Sequence, residues 1–263
     1  MTTNPSDPLP RIERALAEAL EVLKQFTSGA VDADDKGGGD PVTEADRAVD
    51  TLLKELLPEG DEGWLSEETA DDPIRLSRER VWVVDPLDGT REFVAGIPEW
   101  CVSVALVEGG RAVAGGISNP ATGETIIGAA GRGVTLNGAP VRLSERTSLD
   151  GAVVLGSRSE VKRGEWDRFQ NAPFEMRPMG SVAYKLSLVA AGRADATWTL
   201  VPKHEWDIAA GVALIQAVGG EVYTLDGKPP RFNRPKPKVT GLVAHPPALG
   251  PAIRSQIDFA LDL

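Results

Sequence analysis

One cysteine, two histidines and few basic residues set the first limits on this chain of 263 residues. The lone Cys101 excludes an intramolecular disulfide and fits a reducing, cytoplasmic compartment. No His or second Cys lies near it in sequence, so it reads as a buried strand residue. No stretch approaches the roughly 20 apolar residues of a membrane span. The N-terminal MTTNPSDPLPRIERALAEAL is polar and then amphipathic, without the apolar core of a signal peptide. Positive charge is scarce: 28 Lys and Arg against 39 Asp and Glu give a net charge of -11. Such a surface repels polyanions, which argues against a nucleic acid polymer as partner. A small phosphate ester remains compatible if cations make its site locally positive. What is present is an ordinary globular balance, 41% hydrophobic and 25% charged, which argues against disorder. The length fits one large domain or two packed subdomains.

Ile12, Ala15, Leu16, Ala19, Leu20, Leu23 and Phe26 repeat at helical spacing after Ser6, Asp7 and Pro8, a capped amphipathic helix. A polar, glycine-rich loop through Asp32 to Asp40 follows. Thr43-Glu44-Ala45-Asp46 then resembles a capping box with Asp in place of Glu, opening a helix that Pro58 ends. Beyond it the pattern turns to strands at 80–84, 100–107, 112–117 and 124–129, whose short spacers predict a meander of antiparallel hairpins. After Leu149 strands at 152–155, 194–200 and 221–225 alternate with helices at 181–191 and 208–218, which predicts helices layered on a sheet. The expected organisation is an α+β subdomain over residues 1–148 and an α/β subdomain over 149–263. Gly37-Gly38-Gly39 lacks the following Gly-Lys-[Ser/Thr] and a preceding strand, so it is no P-loop.

The chemistry is concentrated in acids at element ends. Val83-Val84-Asp85-Pro86-Leu87-Asp88-Gly89-Thr90 takes an apolar strand directly into two carboxylates. Asp-Pro-x-Asp alone reads as a turn. At the end of a buried strand, two negative charges require neutralisation, which hard divalent cations supply through carboxylate and carbonyl oxygens. Gly89-Thr90 reads as the start of a helix whose unpaired amides suit a phosphate. Ser66-Glu67-Glu68 ends a short strand, and His204-Glu205-Trp206-Asp207 opens an apolar helix. Taken singly, these are a solvated surface and an N-cap. Together, the three acid clusters suit a multinuclear metal site for phosphoryl transfer.

At these residues the chain resembles the inositol monophosphatase superfamily. Asp85-Pro86-Leu87-Asp88-Gly89-Thr90 and Trp206-Asp207-Ile208-Ala209-Ala210-Gly211 resemble its first and second motifs. Pro41-Val42-Thr43-Glu44-Ala45-Asp46 and Ser66-Glu67-Glu68 match two more, all in the family's order. The resemblance implies an α+β / α/β fold, a layered αβαβα sandwich of the inositol monophosphatase / fructose-1,6-bisphosphatase type. It also implies Mg²⁺-dependent phosphomonoester hydrolysis with two to three ions per site, commonly inhibited by Li⁺. Carried over, Glu67, Asp85 and the Leu87 carbonyl would hold the first metal, and Asp85, Asp88 and Asp207 the second. A third, weaker ion would sit near Glu67. Asp46 and Thr90 would activate the attacking water, and the Gly89 and Thr90 amides would bind phosphate. The N-terminal subdomain then carries most metal ligands, and the C-terminal one Asp207 and the substrate contacts.

Within the superfamily, Thr90-Arg91-Glu92-Phe93, Ser157-Arg158-Ser159 and Glu205-Trp206-Asp207 resemble the CysQ-type 3′(2′),5′-bisphosphate nucleotidases, which hydrolyse 3′-phosphoadenosine 5′-phosphate to AMP. The resemblance makes Gly180, Ser181, Lys185 and Glu205 substrate contacts. Glu160 stands where that branch often has His, and Asp40 replaces the usual Ser before Pro-Val-Thr. Leu200 lacks the acid that many inositol phosphatases carry seven residues before Asp207, yet Gly96-Ile97-Pro98 and Gly131-Arg132-Gly133 through Asn137-Gly138 resemble segments typical of that branch. Inositol-1-phosphate and histidinol-phosphate phosphatases are therefore the alternatives, and a catalytically inactive binding relative is a third reading. Trp198 and Trp206 are candidates for base stacking, whereas Trp82 and Trp100 read as core. The expected partner is a small phosphorylated metabolite, with the protein a monomer or homodimer.

Overall fold

The computed structural model describes residues 7–31, 33–35 and 41–261. Ser6, Asp32, Gly37, Gly38, Gly39 and Asp40 lie outside the described residues. The first amphipathic segment folds as α1 (Pro8–Leu23), capped by Asp7, whose carboxylate accepts the Leu9 amide at 3.1 Å. Two short strands, β1 (Asp34–Asp35) and β2 (Pro41–Val42), pair antiparallel ahead of α2 (Glu44–Leu56). The expected capping box forms there: Thr43 N–H donates to Asp46 at 2.8 Å, and Thr43 Oγ1 accepts from the Ala45 amide at 3.2 Å.

Next come β3 (Gly63–Ser66), a 3₁₀ turn (Pro73–Ser77), β4 (Arg80–Asp88) and the short α3 (Thr90–Val94). The meander then runs through β5 (Cys101–Glu108), β6 (Arg111–Asn119), β7 (Glu124–Ala129), β8 (Gly133–Leu136) and β9 (Ala139–Pro140). These seven strands form one sheet in sequence order, β3 parallel to β4 and the remaining neighbours antiparallel. Asn137 and Gly138 turn β8 into β9, both at positive φ, 49° and 80°. The C-terminal part runs β10 (Val153–Ser157), α4 (Arg158–Lys162), β11 (Glu175–Met179), α5 (Val182–Ala190), β12 (Ala196–Thr199), β13 (Lys203–His204) and α6 (Glu205–Ala217). It ends with β14 (Glu221–Tyr223), β15 (Lys238–Val239), β16 (Leu242–His245) and α7 (Gly250–Leu261). A second sheet has the order β11-β10-β12-β16-β14, and β13 pairs separately with β15.

Strand alternation sorts the core into layers. Trp82 and Val84 of β4 join Ile12, Leu16, Val49 and Leu53 of α1 and α2, while Val81 and Val83 join α5 and α6 on the opposite face. The far side of α5 and α6 meets Leu155, Leu242 and Ala244 of the second sheet, whose outer face packs Val154, Trp198 and Val243 against Leu249, Ile253 and Ile257. The result is the αβαβα sandwich. It explains why α6 is apolar on all sides: it lies between two sheets. Close approach on both faces of the larger sheet depends on one glycine pair. A Cβ at Gly115 would lie 2.6 Å from the Ala210 carbonyl oxygen in α6, and one at Gly116 would lie 2.3 Å from Ile12 Cγ2 in α1. Among the described residues no helix is long and apolar enough to cross a membrane.

Candidate active site

The acidic motifs meet because the ends of four elements converge. β4 does not stop at Val84 but continues through Asp88, with a bulge between Asp85, opposite Ser103, and Asp88, opposite Cys101. The extra residue of the bulge re-aims the strand end. Leu87 N–H donates back to Asp85 Oδ1 at 3.1 Å. Gly89 follows at φ 98°, where a Cβ would lie 2.8 Å from the Glu99 carbonyl oxygen, so the turn into α3 requires glycine. Glu67 follows β3, the parallel neighbour of β4. Asp207 enters from α6, where it serves in its own capping box and accepts the His204 amide at 2.9 Å. Glu67, Asp85, Leu87, Asp88, Gly89, Thr90, Gly180, Ser181, Lys185 and Asp207 all line one cleft of about 380 Å³.

Charge in this cleft is badly balanced. Burial, and then the charges of Glu67, Asp88 and Asp207, push the Asp85 carboxyl well above the usual carboxylate range. Burial also raises Asp88, although the Ser181 hydroxyl and Ala183 amide donate to it at 2.7 and 2.6 Å. Asp207 is pushed up to about 8 by burial, Asp88 and Glu67, against the opposing charge of Lys203. Asp85 is buried and Asp88 and Asp207 are half-buried, and the repulsion among these three acids is undercompensated by protein cations. Their donors are hard oxygens, which suit Mg²⁺ or a similar ion and not a soft one. Among the described residues no three His, Cys, Asp or Glu side chains already form a closed metal cage. The fit therefore rests on the donor chemistry and the uncompensated charge.

Asp46 lies behind this cluster, 1% exposed. One of its oxygens accepts the Thr43 amide and hydroxyl at 2.8 and 2.6 Å, and the other accepts Thr90 Oγ1 at 3.1 Å. Thr90 Oγ1 also lies 3.0 Å from the Leu87 carbonyl oxygen. Cys101 Sγ sits 3.3 Å from Ser181 Oγ, but burial and the Asp88 charge push its thiol well up, so it is held as a neutral packing group.

Several expected substrate contacts are placed differently. Glu205 is fully buried, does not line the cleft, and accepts the Asn233 and Arg234 amides at 2.7 and 3.1 Å. Residues two apart on a helix face opposite sides, so Glu205 and Asp207 diverge. Lys185 does border the cleft, yet its Nζ donates to the carbonyls of Met179, Gly180 and Ser181 at 3.2, 3.3 and 2.9 Å. That ammonium holds the turn in which Ser181 takes φ 50°. Trp198 is 1% exposed, stacks on Trp166 at 5.1 Å, and belongs to the core. Trp206 lines the cleft, with its ring stacked against His204 at 4.4 Å. Lys203 was missed as a candidate; it lines the same wall. An isolated lysine between Pro202 and His204 carries no motif, and only the pairing of β13 with β15 fixes its place.

A bulged strand end, a helix N-terminus and clustered acids in one cleft suit the chemistry of a metal-dependent phosphoric monoester hydrolase, the class to which the family match assigns the chain. The inositol monophosphatase family model matches residues 8–260. The chain belongs to the inositol monophosphatase family. It is 38% identical over 201 residues to an inositol-1-monophosphatase of Mesorhizobium japonicum, covering 73% of this chain and 75% of that one. An IMPase of Thermotoga maritima superposes with a TM-score of 0.81 at 28% identity, covering 95% and 96% of the two chains. CysQ from Bacteroides thetaiotaomicron superposes with a TM-score of 0.76 at 27% identity, covering 90% and 96%. Similarity thus extends to both branches without a clear bias toward the CysQ type, so the Thr90–Phe93, Ser157–Ser159 and Glu205–Asp207 segments do not by themselves assign the branch.

Proposed function

We propose that this phosphatase hydrolyses inositol 1-phosphate or a closely similar polyol monophosphate. The observation that carries this reading is the cleft wall. A nucleotide substrate would gain from an open aromatic face, but Trp198 is in the core and Trp206 is already covered by His204. A polyol asks instead for polar neighbours, and Ser157, Ser159, Ser181 and Glu92 line the cleft. The inositol-1-monophosphatase relative supports the same class. One observation favours 3′-phosphoadenosine 5′-phosphate as a second reading: Arg158 and Arg163 stand on the rim, where a second phosphate would find positive charge. Both, however, are engaged by Glu99 at 2.5 Å and Glu165 at 2.7 Å.

In the proposed mechanism Glu67, Asp85, the Leu87 carbonyl, Asp88 and Asp207 would hold two to three Mg²⁺ ions. Bound Mg²⁺ would supply Lewis acidity to the phosphoryl oxygens and acidify a water. The chain's own part is positioning and proton handling. Asp46 is fixed by α2's capping box, so its remaining oxygen takes the single Thr90 hydroxyl proton. Thr90 Oγ1 then presents a lone pair to accept a proton from the attacking water. The Gly89 and Thr90 amides at the start of α3 would donate to the phosphate oxygens. Ser181 and Ala183 hold Asp88 in its orientation.

The test is phosphate release by purified protein with Mg²⁺ from inositol 1-phosphate, 3′-phosphoadenosine 5′-phosphate and histidinol phosphate, each with and without Li⁺. The highest kcat/KM is expected for inositol 1-phosphate, with inhibition by Li⁺. A clear preference for the bisphosphate would overturn the substrate assignment in favour of the nucleotidase reading.

A further inference from the structure

The cleft holds a cation that the carboxylate motifs do not account for. Lys203 sits on β13, whose register against β15 pairs Lys203 with Val239, so its backbone is fixed by a strand rather than a free loop. Its ammonium lies 3.5 Å from Glu160 Oε1, with the lysine side chain 14% exposed and the glutamate fully buried. Glu160 is itself held firmly. It accepts the Leu200 amide at 2.9 Å and the Trp166 indole N–H at 3.3 Å, and Thr199 Oγ1 donates to its other oxygen. A buried carboxylate tied at both oxygens is a rigid anchor, and it holds the lysine by one long ion pair. An ammonium has three donors, so Lys203 keeps hydrogen-bonding capacity for the cleft it lines. Lys185 contrasts with it: its donors are committed to three backbone carbonyls. Arg158 and Arg163 are held by carboxylates at much shorter range. The residues sharing Lys203's wall include His204, Trp206 and the acid Asp207.

We propose that Lys203 is a further phosphate-binding residue, a fixed cation mounted on buried Glu160 that contacts the phosphoryl group beside Asp88 and Asp207. The assignment rests on the phosphatase activity of the cleft but not on which ester is the substrate. Glu160 fixes where the charge stands, so it is a positioning residue. Lys203 would stabilise phosphate in both ester and product, and its charge would partly offset the carboxylates.

The test uses the full chain with Mg²⁺ present and inorganic phosphate as the probe. Phosphate binding is measured by titration calorimetry alongside KM for inositol 1-phosphate, in wild type, Lys203→Met and Lys203→Arg. Loss of one charge-assisted contact should weaken phosphate binding by about tenfold in Lys203→Met and raise KM in parallel, with most binding kept in Lys203→Arg. Unchanged phosphate affinity in Lys203→Met would overturn the proposal, and if its melting temperature fell at the same time Lys203 would be only a partner for Glu160. Wild type that neither binds phosphate nor hydrolyses any ester would instead refute the phosphatase reading itself.

Discussion

Asp85 shows at single-residue scale how function and stability oppose each other here. Its side chain is 1% exposed, and its neighbours Glu67, Asp88 and Asp207 add like charge to the cost of burial. Asp85→Asn removes a charge from a repelling cluster, so the metal-free variant should melt at or above the wild-type temperature. The same change removes the proposed shared ligand, so Mg²⁺ should no longer raise the melting point and turnover should fall by at least about 10³-fold. Thermal melts with and without Mg²⁺ check this, and a wild-type-sized Mg²⁺ shift in the variant would refute the ligand assignment. That Asp85, Asp88, Glu67 and Asp207 share one cleft was legible in the sequence, because acids at the ends of apolar elements are anomalous on their own. Glu205 and Lys185 were not, because their direction depends on helix phase and on which carbonyls come within reach. Lys203 carried no local signal at all.

At the scale of elements, the capping boxes have two uses. Asp46 closes α2's first turn and also receives Thr90, while Asp207 closes α6's and lines the cleft. The sequence showed the first box but could not show that α3 would bring Thr90 to it from 44 residues away. The strand–helix alternation after Leu149 was readable, whereas the bulge in β4 was not, since it depends on register against β5. A separate seam lies where β16, β14 and α7 meet. His245 Nδ1 lies 2.8 Å from the Pro246 carbonyl, so that nitrogen carries the proton, and Nε2 faces Glu221 at 3.9 Å. Burial lowers its pKa below 6.5, with Arg254 acting in the same direction and Pro246 and Glu221 against it. The unfolded chain therefore binds the proton more readily. This contribution to stability is complete above about pH 6.5 and declines as pH falls toward and through the folded-state value. Urea midpoints at about pH 7.5 and about pH 5.5 should fall for wild type by more than for His245→Asn. Equal losses in the two proteins would contradict the account.

Across the whole molecule, the layers explain where the cleft is. Helices α5 and α6 lie between the sheets, and the N-terminal ends of both meet the end of β4 from the larger sheet. Arg75 adds a clamp across the two parts of the chain: its guanidinium, 1% exposed, donates to Asp71, Asn233 and the Arg234 carbonyl. Asn233 and Arg234 in turn donate their amides to Glu205, at the head of α6. The helix that carries Asp207 is thereby tied to the β3 edge of the larger sheet. The strand–helix alternation already implied a layered protein, and the net charge of -11 an acidic surface. What the sequence lacked was the set of long-range contacts that bring acids from residues 67 to 207 into one cleft. The central claim is that these acids act through a divalent cation, and the most direct measurement is phosphate release from inositol 1-phosphate as Mg²⁺ is titrated into chelator-treated protein. The account predicts no release without the ion and a saturable rise with it. Release that persists undiminished in chelator would contradict it.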